Sequence, residues 1–198
     1  MNHQSPRELL TQFYIDSNLE LDGGQGSPNV KIEMGKFYFY IPNFDARRKA
    51  VIKHDIHHLL TGYSTDIKGE AEISAWEIAS GCTRYWAAFV LNTSGVMMGF
   101  WMNFSRTLKA FARGRKTKNL YNTSFSTEDA MDMRVGDLKA ILQLDQYPID
   151  TKVTFIDVLL FLIFALFGGI FSLLSLLILP LVILYTIYTI VKIRLQKK

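Results

Sequence analysis

Lys53 to Glu77 reads KHDIHHLLTGYSTDIKGEAEISAWE, and three of the chain's four histidines crowd into it with an aspartate, as His54, Asp55, His57 and His58. Asn43 or Asp45 is a helix cap, and Gly62 is a stop after the apolar Leu59-Leu60 pair. The segment therefore predicts a helix over about 46–60 and a second one beginning near Ile67. At about 100° per residue, His54, Asp55 and His58 fall at roughly 0°, 100° and 40° around the first helix, with His57 on the flank at about −60°. Imidazoles four residues apart share a face and suit one metal ion. Glu70 opens the next helix, and antiparallel packing of the two helices brings it opposite the histidines. Two imidazoles and two carboxylates suit zinc, manganese or iron(II), and the lack of thiolates disfavours a purely structural zinc clip. An ion held with an open coordination position is a Lewis acid. The same spacing occurs on ordinary amphipathic helices, so spacing alone leaves both readings open. An HExxH zinc protease is excluded, because position 55 is aspartate and no glutamate lies inside the histidine pair.

The remaining composition is divided. Of 198 residues 49% are apolar and the net charge is +4, but neither is spread evenly. Between Val153 and Ile193 the ionisable side chains are Asp157, Lys192, Tyr185 and Tyr188, whereas everything before has a soluble composition. The expectation is a soluble part of about 150 residues with a membrane tail. Thr154 to Lys192 as one helix is on the order of 58 Å, and a hydrocarbon core is about 30 Å thick. That length predicts two crossings, with Gly168-Gly169 and Pro180 as the possible breaks. Lys152 precedes the apolar stretch, and Lys192, Arg194, Lys197 and Lys198 close it. By the positive-inside rule both ends face the cytoplasm, which requires an even number of crossings.

Cys82 is the only cysteine, so neither a disulfide framework nor a thiolate site is expected. The beginning, MNHQSPRELL, lacks the pattern of a secretory signal. The basic clusters at Arg106–Lys118 and Lys192–Lys198 adjoin apolar segments, which suits anionic lipid headgroups rather than nucleic acid. Ser5-Pro6-Arg7-Glu8 predicts a capped helix to about Ser17. Gly23, Gly24, Gly26 and Pro28 make a loop without the GxGxxG pattern of a phosphate cradle. Lys36–Ile41 is an aromatic strand that can pair with Val30–Glu33. A helix from Ile67 through Trp76 and Trp86 towards Leu91, interrupted at Gly81, should end at an Asn92–Gly95 turn. Val96–Ala112 and a segment from Ser126 or Thr127 to Leu144 complete the helices. The fold class expected is mainly α: a helical soluble domain with a short β-hairpin, followed by a two-helix transmembrane hairpin. Its parts are an N-terminal extension (1–45), a metal-binding helical domain (46–147) and the hairpin with its basic tail (151–198).

His54-Asp55-Ile56-His57-His58, then residues 59–69, then Glu70, resembles the signature of the Coq four-type coenzyme Q (ubiquinone) biosynthesis protein family. Leu59–Tyr63 (LLTGY), Gly69-Glu70 and Ala112–Tyr121 (ARGRKTKNLY) are similar to that family as well. The resemblance covers roughly residues 47–144, about half the chain; the first 45 residues and the apolar tail match nothing in it. It implies a helical domain with His54, Asp55, His58 and Glu70 as metal ligands and zinc as the usual metal. It also implies action on prenylated benzoic-acid intermediates, by oxidative decarboxylation at ring carbon 1. Expected partners are a prenylated lipid substrate, the membrane and other quinone biosynthesis proteins, on the cytoplasmic face of a bacterial inner membrane. The alternative is a non-catalytic prenyl-lipid-binding scaffold. His57, which the motif does not use, is either a proton-transfer residue or a packing histidine. Arg106, Arg113, Arg115 and Lys116 are candidates to hold anionic headgroups.

Overall fold

The Ser5 hydroxyl accepts a hydrogen bond from the Glu8 N–H, and the Glu8 carboxylate in turn accepts one from the Ser5 N–H at 2.9 Å. This reciprocal capping opens α1 (Pro6–Asp16) as the sequence predicts. The computed structural model describes residues 2–17, 20–34 and 37–196. Lys36, Lys197 and Lys198, which entered the strand and charge expectations, lie outside the described residues. β1 (Asn29–Met34) and β2 (Phe37–Pro42) form an antiparallel pair with Asn29 opposite Pro42 and Ile32 opposite Phe39. α2 (Asp45–Thr61) ends where Gly62, at φ 77°, turns its N–H back to the His58 carbonyl, a left-handed position that glycine adopts without strain. α3 (Ile67–Ser80) starts at Asp66, whose carboxylate accepts from the N–H groups of Lys68 and Gly69. There follow α4 (Trp86–Met102), α5 (Phe104–Gly114), α6 (Thr127–Asp132), α7 (Val135–Ile141) and α8 (Phe155–Gln196).

The molecule is thus mainly helical with one small two-stranded sheet among the described residues. α3 is the central element, packed against α4 and α5. Ile73, Ala75 and Trp76 are fully buried there with Phe111 of α5, and the Trp76 indole donates to the Thr117 hydroxyl at 2.9 Å. α1 and α2 cover one flank through Leu10, Tyr14, Ile56 and Leu60.

Helix boundaries differ from expectation in three places, and in one of them the expected Val96–Ala112 helix is divided at Asn103, whose extended backbone (φ −156°) ends α4 and precedes α5. The helix begun at Ile67 stops at Gly81, at φ 99°, and a new one starts at Trp86. The Asn92–Gly95 turn does not form. Inside α4 the Thr93 hydroxyl bonds the Phe89 and Val90 carbonyls and the Ser94 hydroxyl bonds the Val90 carbonyl. Gly95 lies so near α3 that a Cβ there would sit 2.2 Å from the Ser74 hydroxyl oxygen. These small polar residues allow a close helix crossing rather than a chain reversal.

The expected two-helix transmembrane hairpin is corrected by the structure. α8 is one helix of 42 residues, about 63 Å long at 1.5 Å per residue. Gly168 does not turn the chain: it seats against α4, where a Cβ would lie 1.9 Å from the Thr93 carbonyl oxygen. The Ser172 hydroxyl bonds the Gly168 carbonyl at 2.8 Å across the glycine pair, and Pro180 remains inside the helix. By length and composition α8 is a helix that could cross a membrane.

Candidate metal centre

His54 and His58 stand one turn apart on α2 and face Glu70 in the first turn of α3. The two Nε2 atoms are 3.2 Å apart. His54 Nε2 is 3.4 Å from Glu70 Oε2, and His58 Nε2 is 3.3 Å from Glu70 Oε1. What lies behind the imidazoles determines their tautomers. His54 Nδ1 is 3.0 Å from Glu77 Oε1, and His58 Nδ1 is 2.9 Å from the Tyr63 carbonyl oxygen. A carboxylate and a carbonyl only accept, so each Nδ1 carries its proton and donates. In the neutral form of each ring Nε2 then keeps a lone pair, and the two Nε2 atoms and the Glu70 carboxylate lie together. Two lone pairs at 3.2 Å repel unless a proton or a metal ion lies between them. Ligands at the usual zinc–nitrogen distance and tetrahedral angle stand about 3.3 Å apart. Backing of metal-ligating histidines by a carboxylate or a carbonyl is the arrangement that fixes ring orientation and raises ligand basicity.

Among the described residues this trio is the group whose donor atoms, all within 4.8 Å of one another, could hold a metal ion. Two imidazoles and one carboxylate are a ligand set that leaves a fourth position open, as catalytic rather than structural zinc sites do. Glu70 is the accessible member, with its side chain 39% exposed. It opens on a cleft of about 650 Å³, also lined by Glu20, Asn29, Arg47, Val51, Asp55 and Thr65. Burial alone would raise the Glu70 carboxyl, but in the metal-free site the Nε2–H groups and positive charge of protonated imidazoles at His54 and His58 outweigh it and hold it down at about 2. Burial likewise disfavours a charged His54, yet the carboxylates of Glu77 and Glu70 raise it well above its ordinary range. The site therefore demands positive charge, which a divalent ion satisfies with release of the proton.

Asp55 lines the same cleft but is turned towards α1, where it accepts from the Tyr14 hydroxyl at 3.0 Å. Burial pushes its carboxyl up to about 6. Of the four expected ligands, three converge and Asp55 stands beside them. His57 is in the core. Its Nδ1 donates to Glu77 at 2.6 Å, its Nε2 accepts from the Leu120 N–H at 2.9 Å, and Trp76 and Tyr121 pack edge-on against its ring. Burial lowers its pKa and keeps it neutral. It does not line the cleft, so the packing alternative describes its place.

Glu77 was not expected. It is fully buried, accepts from both His54 and His57 through one oxygen, and receives Asn92 Nδ2 on the other. Its signal was available, since Glu70 and Glu77 are seven residues apart and share a helix face. Glu72, on the opposite face, pairs instead with Arg106 at 2.9 Å. The other basic candidates are also engaged. Arg113 donates to the Tyr147 and Thr61 carbonyls, Arg115 pairs with Asp157, and Lys116 reaches the Lys152 carbonyl. In the glycine loop the Gly24 and Gly26 N–H groups bind the Asp22 carboxylate at 2.8 and 2.7 Å, so the anion there is the protein's own.

Compared with models of protein families, curated proteins and solved structures, the chain matches none.

Proposed function

We propose that this protein is a membrane-associated, metal-dependent enzyme of quinone biosynthesis. Its substrate is a prenylated benzoic-acid-type intermediate, and its reaction is oxidative decarboxylation at ring carbon 1. In that step the ring–carboxyl bond breaks to release carbon dioxide, a ring–hydroxyl bond forms, and a two-electron oxidant from outside the chain, dioxygen, supplies the oxygen and takes up the electrons. The observation that carries the reading is the convergence of His54 Nε2, His58 Nε2 and Glu70 at the edge of an open cleft. The likeness of the HDxxH-and-glutamate spacing to the Coq four-type family supplies the substrate class. When bound, a divalent ion, zinc by this donor set, supplies Lewis acidity towards a carboxylate or phenolate oxygen. The chain itself supplies orientation. Glu77 and the Tyr63 carbonyl lock the two imidazoles with their Nε2 atoms forward. Glu70 bears on the cleft, and Arg47 places a guanidinium in its wall.

The test is metal content and turnover on the full chain purified in detergent. Wild type should carry stoichiometric divalent metal, and His58→Ala and Glu70→Ala should lose it. The metal-loaded wild type, supplied with dioxygen, should convert a prenylated hydroxybenzoate to carbon dioxide and the hydroxylated product. Wild type without metal sinks the reading. Metal-loaded protein that binds the acid and never converts it would be the prenyl-lipid-binding scaffold.

A further inference from the structure

We propose that α8 does not cross the bilayer but lies along one leaflet with the domain on top of it, so that both its ends stay on one side. The proposal rests on the membrane association assumed above and adds how the chain meets the lipid.

Both ends of α8 are held by the same domain. Near its start, Asp157 pairs with Arg115, and Phe161 is buried among Phe100, Phe104 and Phe111. Near its end, the Thr186 hydroxyl accepts the Tyr40 N–H of β2 at 2.9 Å, and the Tyr185 hydroxyl donates to Asn29 of β1. Gly168 on α4 and Thr186 on β2 are separated by about 27 Å of helix. That is nearly a whole hydrocarbon core of about 30 Å. A helix that crossed between these contacts would leave the hairpin on the far side of the bilayer or inside it. A two-stranded sheet has open edges, and open edges do not persist in hydrocarbon, where no water satisfies their N–H and C=O groups.

The charges agree. Lys152 before α8 and Lys192 and Arg194 near its end are exposed, and the positive-inside rule keeps both ends on one side. With a single helix, the even number of crossings is zero. The side-chain pattern agrees too. Every Asp, Ser and Thr of α8, namely Asp157, Ser172, Ser175, Thr186 and Thr189, falls within about 60° of the line through Gly168 that faces the domain. The opposite line carries Leu166, Leu173, Leu177 and Leu184, each at least 63% exposed. A helix lying in an interface ordinarily needs a charged face towards water. Here α4 covers that side from Asp157 to Gly168 and the hairpin covers it at Thr186 and Thr189, with exposed Ser172 and Ser175 between them, so the remaining faces can all be apolar. The occupant of the leucine face is the acyl region of an anionic phospholipid leaflet, with the three basic residues at its headgroups. Asn29, which anchors Tyr185, also lines the metal cleft, so the cleft wall and the lipid-facing helix are joined directly.

Single-cysteine labelling in cells expressing the full chain tests this, with a membrane-impermeant maleimide; Cys82 is buried and stays silent. Lys152→Cys and Gln196→Cys should both be protected in intact cells and both be labelled in everted membrane vesicles. Leu177→Cys should be protected in both. One end labelled in each preparation means a single crossing and overturns the proposal. Leu177→Cys labelled in intact cells means two crossings and overturns it equally. In either case the membrane association itself survives. A chain found only in the soluble fraction, with Leu177→Cys oxidising to a disulfide dimer, would give this face to a second copy and remove the membrane reading as well.

Discussion

The two glutamates that bear on His54 have different burdens, and conservative substitutions should separate them. Glu70 supplies a donor atom at the edge of water, whereas Glu77 is fully buried and receives two imidazole N–H groups and an amide. Glu70→Gln should abolish stoichiometric metal while leaving the metal-free protein's melting temperature close to wild type. Glu77→Gln keeps the shape but sets an amide NH₂ among donors. It should weaken metal binding about 10- to 100-fold through the loosened imidazole. It should also cost about 1–3 kcal/mol of stability from the unsatisfied buried group. Competition with a chelator and thermal denaturation of the apo forms read the two effects separately. Equal loss of stability in both variants would contradict the distinction. The ligand pair His54 and His58 was legible in the sequence because helical geometry alone puts residues four apart together. The orientation of Asp55 towards Tyr14 was not, since it depends on α1 arriving from forty residues upstream.

At the scale of elements, the same alphabet serves turns and helix crossings, and this is where sequence reading erred. Asn92–Gly95 and Gly168-Gly169 resemble breaks, yet in both places the small residues let helices approach. The capped start of α1, the aromatic strand and the Gly62 stop involve only neighbouring residues, and these were legible. A crossing is decided by a partner far away in the chain, so local propensity does not reveal it. The paired glycines of α8 make this measurable. At Gly168 a Cβ would collide with the Thr93 backbone, whereas at Gly169 its nearest neighbour is the Met97 methyl carbon at 3.5 Å. Gly168→Ala should therefore lower stability in detergent by about 1–3 kcal/mol as α8 is pushed from α4. Gly169→Ala should be neutral or stabilising by up to about 1 kcal/mol, because alanine is the better helix former. Two variants that melt alike would show that α8 is not seated on α4 at this point.

Across the whole molecule, the division into a helical domain and an apolar tail was visible in hydropathy alone, whereas the continuity of α8 was not. A 39-residue apolar run fits one long helix as well as two short ones until its docking partners are known. The domain has its own asymmetry. α3 is packed mainly against α4 and α5 and only lightly against α2, so the His54–His58–Glu70 group is, beside the buried His57–Glu77 bond, a direct tie between α2 and α3. An ion bound only by the folded state stabilises it, by about 2.7 kcal/mol when free metal is 100 times its dissociation constant. Stripping the metal with a chelator should lower the melting temperature and speed amide exchange first in α2, around His54 to Thr61. The centre of α3, enclosed by Trp76, Ile73 and Phe111, should remain protected until global unfolding. His58→Ala should show the loosened α2 from the outset and no further change on chelation. If exchange in wild-type α2 is indifferent to the chelator, the group at His54, His58 and Glu70 is held by a proton rather than a metal ion, and the tie between these helices is an ordinary buried hydrogen-bond cluster.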